Sequence, residues 1–377
     1  MHVSTADLLE HAMRRAVELA RRGEGRVEPN PMVGAVVIAA GADRAAAAER
    51  IVGEGWHAEH GGPHAEVTAL AQAGAAARGA TLVVTLEPCC HHGKTPPCTD
   101  AVIAAGVARV VVGCQDPYPA VAGAGIAALR RAGIAVDVGV GAVEARRLVA
   151  PFRTLVERGR PWVVAKWAMS LDGRVATAAG ESRWISSADS RRTVHALRGR
   201  MDGILVGIGT ALADDPLLTA RPPGPRTPLR IVLDGAARLP PEGRLVRTAR
   251  ETPVLVAVGP DAPADRIRPL EAAGCEVWRA HATDRAGRLG ELLAELGRRR
   301  LTNVLVEGGP AVLGGFADVG AIDEVWAFIA PRIIGGAAAP AAVGGRGILA
   351  LADAAEIDVE EVSRPGGDLF IRGTLRR

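Results

Sequence analysis

Apolar runs of strand length alternate with helix-length segments along the whole chain, and this alternation restricts the fold more than any other feature. Over 8–20, Leu9, Met13, Ala16, Val17 and Ala20 recur at helical spacing. Runs at 33–40, 81–86, 110–113 and 134–138 read as strands, and segments 64–77, 101–105 and 125–132 as helices. Glu28-Pro29-Asn30-Pro31 reads as a turn, and the Ala-rich stretch 41–50 as a hairpin excursion. Around 145–161 the pattern gives way to a charged stretch containing Arg146, Arg147, Arg153, Glu157, Arg158 and Arg160. A second series follows, with strands at 162–168, 204–206, 230–233, 254–258, 304–306 and 325–329 and helices at 190–198 and 289–299. Alternation of this kind means sheets covered by helices. The expected fold class is α/β in two domains, 1–150 and 151–377, each long enough to bury its own core.

Composition narrows the function. Apolar residues are 48% and charged residues 23%, which excludes a disordered chain. Lys plus Arg is 45 and Asp plus Glu is 42, a net charge of +3, with aromatics at 3%. A groove for nucleic acid or a basic membrane-binding face has little material to draw on. No apolar run approaches about 18 residues, so no membrane span is expected. The first helix carries Asp7, Glu10, Arg14 and Arg15, unlike a secretory leader. The expected compartment is the cytoplasm.

The five cysteines are Cys89, Cys90, Cys98, Cys114 and Cys275. Their number is odd and three cluster, which suits metal better than disulfides. His64-Ala65-Glu66 precedes Pro88-Cys89 and then Cys98. One imidazole and two thiolates suit zinc, and three protein ligands leave a fourth position for water. Glu66, two residues from His64, points in another direction and is placed to carry a proton. Cys89 follows a strand and a proline where a helix start would favour its thiolate. Zinc-dependent base deaminases share this layout, but their second spacing is Cys-x-x-Cys, whereas Cys89 and Cys98 stand nine positions apart. On spacing alone Cys90, His91 and His92 compete as ligands. A zinc-stabilised binding protein with a closed four-ligand site and a nucleic-acid base deaminase both stay open at this point. Cys114 and Cys275 read as small hydrophobes.

The run Thr85-Leu86-Glu87-Pro88-Cys89-Cys90-His91-His92-Gly93-Lys94-Thr95-Pro96-Pro97-Cys98 resembles the signature of the bifunctional deaminase–reductase family of riboflavin biosynthesis. So do Pro29-Asn30-Pro31, Gly53-Glu54-Gly55-Trp56-His57, Pro63-His64-Ala65-Glu66, Ser170-Leu171-Asp172-Gly173, Gly180-Glu181-Ser182, Trp184-Ile185, Leu212-Ala213-Asp214-Asp215-Pro216 and Val306-Glu307-Gly308-Gly309-Pro310. The resemblance covers nearly the whole chain in one order. Two departures stand out: Cys90 sits where the family usually has Ser, and the Ala-rich stretch is longer than usual.

The resemblance implies a cytidine-deaminase-like three-layer αβα domain followed by a dihydrofolate-reductase-like α/β domain. It implies zinc-dependent deamination of 2,5-diamino-6-ribosylamino-4(3H)-pyrimidinone 5′-phosphate, then NADPH-dependent reduction of the ribosyl group to ribityl. His64, Cys89 and Cys98 would hold zinc, Glu66 would carry the proton, and Asn30, His57 and Lys94 would contact the first substrate. Lys166 and Asp214 would act in the reduction. Ala168, Trp184, Thr210, Asp214 and Gly235 would contact NADPH. The segment made of Gly309, Pro310, Ala311, Val312, Leu313, Gly314 and Gly315 would receive its phosphates on the backbone N–H groups it has, Pro310 supplying none. Ser182, Arg198, Leu218, Arg221 and Glu307 would meet the second substrate, with Arg198 and Arg221 clamping a 5′-phosphate. No Gly-x-Gly-x-x-Gly occurs in the second half, so the NADPH assignment rests on resemblance alone. The implied partners are small pyrimidine ribose phosphates and a second copy of the chain as a homodimer, not nucleic acid or membrane.

Overall fold

Gly34–Ile38 is apolar throughout, and all five residues are buried as an interior strand, β1. It runs antiparallel to β2 (Ile51–Trp56) and β3 (Thr81–Leu86). The parallel strands β4 (Arg109–Cys114) and β5 (Ala135–Val138) complete a sheet of order β2-β1-β3-β4-β5. The computed structural model describes residues 5–41, 50–92 and 96–376. The expected hairpin excursion falls almost wholly outside that range, as does Lys94.

Successive residues of each strand enter cores on opposite faces. On one face Val36, Ile38, Val83 and Val111 pack under helix α1 (Thr5–Ala20). On the other, Ala35, Val37, Leu82, Val84, Val110 and Val112 pack under α2 (Ala65–Ala73), α3 (Cys98–Ala105) and α4 (Ala124–Arg131). The result is a helix–sheet–helix sandwich. Strand β2 escaped the hydrophobic pattern because Gly53 and Gly55 replace the side chains a strand would present. A Cβ on Gly53 would stand 2.2 Å from the Ala69 carbonyl oxygen, and one on Gly55 2.3 Å from that of Ala65. Helix α2 therefore lies on the sheet backbone to backbone, through its small face of Ala65, Ala69 and Ala73.

The charged stretch at 145–161 is helical: α5 (Ala142–Leu148) and α6 (Ala150–Arg158). Ala145 and Leu148 join a core with Val17, Leu86 and Cys114. Gly159, at φ 63°, stops α6 in the left-handed region. The chain divides there into two compact units, Met1–Gly159 and Arg160–Arg377, somewhat beyond the expected boundary at 150.

The second unit is a nine-stranded sheet of order β10-β9-β8-β7-β11-β6-β12-β14-β13. The parallel strands are β6 (Trp162–Ser170), β7 (Gly203–Gly207), β8 (Leu229–Leu233), β9 (Val254–Val258), β10 (Glu276–Arg279), β11 (Asn303–Val306) and β12 (Glu324–Ala330). An antiparallel hairpin, β13 (Ile357–Ser363) and β14 (Leu369–Leu375), adds to the β12 edge. Strands β10, β13 and β14 were not expected. β13 is largely exposed, and Asp358, Glu360 and Glu361 interrupt its apolar pattern.

Helices α7 (Ala188–Arg198), α8 (Ile208–Asp214), α9 (Arg244–Arg247) and α10 (Ala264–Ala272) feed the core on one face. Helices α11 (Arg285–Arg298) and α12 (Pro310–Asp318) feed the other. Neighbouring strands β7 and β11 thus send their chains to opposite faces, into α8 and α12. Such a switch point opens a crevice at the carboxyl ends of the strands, where α/β sheets bind ligands.

Gly55→Ala is expected to force α2 off β2 and cost about 1–3 kcal/mol of stability. Urea denaturation checks the cost, and metal analysis checks an accompanying fall in zinc retention, since α2 carries His64 and Glu66.

Candidate active sites

Three chain segments converge at the start of α2. His64 is the residue before the helix, in extended conformation (φ −76°, ψ 161°), so its ring swings off the helix axis. Cys89 lies in the loop after β3 and Cys98 opens α3. The expected helix start at Cys89 is corrected: the helix begins at Cys98. Its N-terminus nonetheless serves Cys89, since the Cys98 amide donates to Cys89 Sγ at 3.3 Å and the Thr99 amide to the Cys89 carbonyl at 3.1 Å.

His64 Nδ1 stands 3.1 Å from Cys98 Sγ and 3.6 Å from Cys89 Sγ. The three donor atoms all lie within 4.8 Å of one another, and among the described residues no fourth His, Cys or carboxylate joins them. Cys90 turns its thiol toward the Ala120 carbonyl, and His91 packs on Tyr118, so neither completes a closed four-ligand site. One imidazole and two soft sulfurs at this separation fit zinc.

Hydrogen bonds from Cys98 and His64 bring the Cys89 thiol down to about 4, a thiolate at neutral pH. Cys98 moves up, because it hydrogen-bonds Cys89 and is itself buried. Glu66, 3% exposed, has its pKa raised by desolvation. His57 Nδ1 lies 3.1 Å from the Pro63 carbonyl and Nε2 3.3 Å from Asn30 Nδ2. That pairing fits a neutral ring that donates from Nδ1, and burial lowers its pKa. Its ring meets His64 edge-on at 5.2 Å. The expected pair Asn30 and His57 therefore borders the sulfur cluster.

Glu87 is a site residue that its type and spacing do not announce. Its buried carboxylate accepts hydrogen bonds from the amides of Asp116 (3.2 Å), Gly123 (2.9 Å) and Ile126 (3.1 Å). It ties the 116–126 segment to the loop that presents Cys89. Its position between an apolar strand and Pro88-Cys89 was the available signal.

In the second unit the expected residues regroup. Lys166 on β6 pairs with Glu307, just past β11, at 3.6 Å. Arg198, at the end of α7, meets the same carboxylate in a forked pair of 2.6 and 3.0 Å. Arg198 is thus not an open phosphate clamp: its fork is occupied. Burial alone would raise the pKa of Glu307, but Arg198 and Lys166 outweigh it and hold the group at about 2. Desolvation lowers that of Lys166 despite Glu307. Nor does the structure join Lys166 to Asp214, whose carboxylate takes Arg183 at 2.9 Å. The reason is topological: β6 and β11 are adjacent, while Asp214 ends α8. Ser182 and Arg221 are exposed, and Leu218 is buried at φ 53°. Trp184 is 60% exposed with the Arg191 guanidinium 4.4 Å over its ring. Ala168 is half-buried on β6. His195, not anticipated, shares the Thr219 carbonyl with Arg198.

A cavity of about 360 Å³ opens beside β7, β8 and α12, and its lining includes Gly235, Ala311, Val312 and Gly315. Gly309 precedes α12, Pro310 is its first residue, and Thr210 Oγ1 lies beside Gly309. Leu313 and Gly314 are not among its lining residues. Leu313 faces the core, and Gly314 packs against the backbone of Gly344. A space floored by glycines and facing a helix N-terminus fits a dinucleotide.

Comparison with known proteins agrees with both halves. Residues 7–114 match the cytidine and deoxycytidylate deaminase zinc-binding region, and 161–369 the RibD C-terminal domain. The riboflavin biosynthesis protein RibD of Aquifex aeolicus is 41% identical over 95% of this chain and 96% of its own. That of Escherichia coli is 40% identical over 96% and 98%. Among solved structures, Acinetobacter baumannii RibD superposes with a TM-score of 0.84 at 34% identity, covering 99% of this chain and 100% of its own. A diaminohydroxyphosphoribosylaminopyrimidine deaminase/5-amino-6-(5-phosphoribosylamino)uracil reductase from Thermotoga maritima gives 0.82 at 36% identity, over 99% and 100%. With both domains matched in order along nearly its whole length, the chain belongs to the RibD family of riboflavin biosynthesis and joins a zinc-binding deaminase domain to an NADPH-using reductase domain.

Proposed function

We propose that the first unit deaminates 2,5-diamino-6-ribosylamino-4(3H)-pyrimidinone 5′-phosphate and that the second reduces the ribosyl chain of the product, giving 5-amino-6-ribitylamino-uracil 5′-phosphate. The observation that carries the first step is the convergence of His64, Cys89 and Cys98, with the buried Glu66 two residues from His64. These three would hold zinc, which when bound brings hydroxide within reach of neutral pH. Glu66 takes the proton of the attacking water and delivers it to the departing amine. Its raised pKa suits a group that must both accept and release a proton. Asn30 and His57 supply polar contacts to the pyrimidine, and Lys94 is assigned there by resemblance.

In the second unit NADPH supplies a hydride when bound, and the protein supplies the matching proton. Opening the ribosylamine leaves a C=N bond, so hydride at carbon requires a proton at nitrogen. Lys166 is the better donor, since desolvation makes its ammonium more acidic. Asp214 instead holds Arg183, next to the cofactor-side Trp184. Glu307 positions Lys166 and Arg198, while Arg221, Ser182 and Leu218 meet the substrate. The reading includes a cytoplasmic homodimer, carried by the family resemblance.

Glu66→Gln should keep its zinc, lose ammonia release by about 10²–10⁴-fold, and still reduce a supplied deaminated intermediate. Wild-type ammonia release by this variant would end the assignment. Glu307→Gln leaves two half-buried cations without a counter-charge and should cost up to about 3 kcal/mol, the lower end of what breaking a fully buried pair costs. Because the folded pKa lies below the ordinary 4.5, that contribution is complete at higher pH and fades as pH falls toward about 2. Urea titrations of wild type and variant should therefore converge as the solution is acidified through this window.

A further inference from the structure

The cavity at the carboxyl ends of β7, β8 and β9 is lined by four charged residues: Asp234, Arg238, Arg285 and Arg288. Three guanidiniums against one carboxylate leave it doubly positive. Arg238 stands 3.9 Å from Asp234, whose other oxygen accepts the Leu239 amide at 2.7 Å. Arg285 and Arg288 project from the first turn of α11, one over Gly315 and the other over Gly259. Cations in the first turn of a helix oppose its dipole, and Asp284, which caps α11 through the Gly287 amide, does not line the cavity. Arg285 donates to the Ala311 carbonyl at 3.4 Å and Arg288 to that of Thr283. A guanidinium has five N–H donors, so most of this donor capacity is left for an anion at the rim.

The rest of the lining selects what carries that anion. Leu233, Trp278 and Leu292 form an apolar wall suited to an aromatic base. At Gly209 and Gly235 an added Cβ would meet open space, so the floor is backbone alone. The start of α12, on the same cavity, offers the positive end of the helix and the Ala311 amide to a diphosphate, since the Val312 and Leu313 amides donate to the Gly309 carbonyl. Base, diphosphate and a further dianionic phosphate together describe the adenosine end of a 2′-phosphorylated dinucleotide. We infer that Arg238, Arg285 and Arg288 read the 2′-phosphate of the coenzyme and make this reductase select NADPH over NADH. Without that phosphate the excess positive charge stays uncompensated, so the arginines favour one coenzyme rather than binding both alike.

This rests on the reading of the second unit as an NADPH-using reductase, and the experiment separates the two. Calorimetry on the full chain compares adenosine 2′,5′-bisphosphate with adenosine 5′-monophosphate. Wild type should prefer the bisphosphate by about a hundredfold, and Arg238→Ala and Arg288→Ala should each erase about tenfold of that preference. The ratio of kcat/KM for NADPH to that for NADH should fall in step. Arg268→Ala, an exposed arginine outside the lining, should leave the preference intact. Equal affinity of wild type for the two nucleotides, or equal weakening of both by the variants, overturns the inference while NADPH turnover stands. Wild type that oxidises neither coenzyme overturns the reductase reading with it.

Discussion

Helix α2 rests on β2 with no side chain between them, and the deaminase half depends on that contact. Gly53 and Gly55 remove the atoms that would hold the helix away, and Ala65 and Ala69 answer from the helix side. Close approach fixes where α2 begins. His64, just outside the helix, can then aim Nδ1 at two sulfurs while Glu66, just inside it, is buried. A bulkier interface would move both groups together, because they ride on the same turn.

The sulfur cluster is then built by helix termini as much as by its ligands. Cys98 contributes a thiol and, through its amide, a hydrogen bond to Cys89, so one residue both offers a donor and prepares its neighbour. Glu87 does related work from behind, spreading one carboxylate over three amides to hold the adjoining loop. Burying that charge is tolerable because backbone dipoles replace its water.

The reductase half solves the same problem with side chains. Glu307 is buried against two cations, and their mutual attraction keeps an acid ionised where burial alone would protonate it. The arrangement ties β6, β11 and α7 together at the ends of the strands. Lys166 is moved toward easier proton release by its own desolvation, against the pull of Glu307, so the same burial that makes the pairing strong also tunes the lysine.

Much of this was legible in the residues. The apolar runs of β1, β3, β4 and β9 announced themselves because strands buried on both faces are continuous hydrophobic stretches. His64, Cys89, Cys98 and Glu66 were named from ligand chemistry, which is a property of side-chain type. β2 and β13 were not legible, since one presents glycines and the other charges where a strand pattern needs apolar side chains. Pairing was beyond reach as well: Lys166 finds Glu307 rather than Asp214, and Arg198 is held in a fork instead of standing open, because strand order brings together residues more than a hundred positions apart. The sequence by itself determined the chemistry available, in its donors, its acids and the alternation that requires covered sheets. Only the tertiary structure decided which groups share a proton or a charge, because those energies depend on distance and on the water that packing excludes.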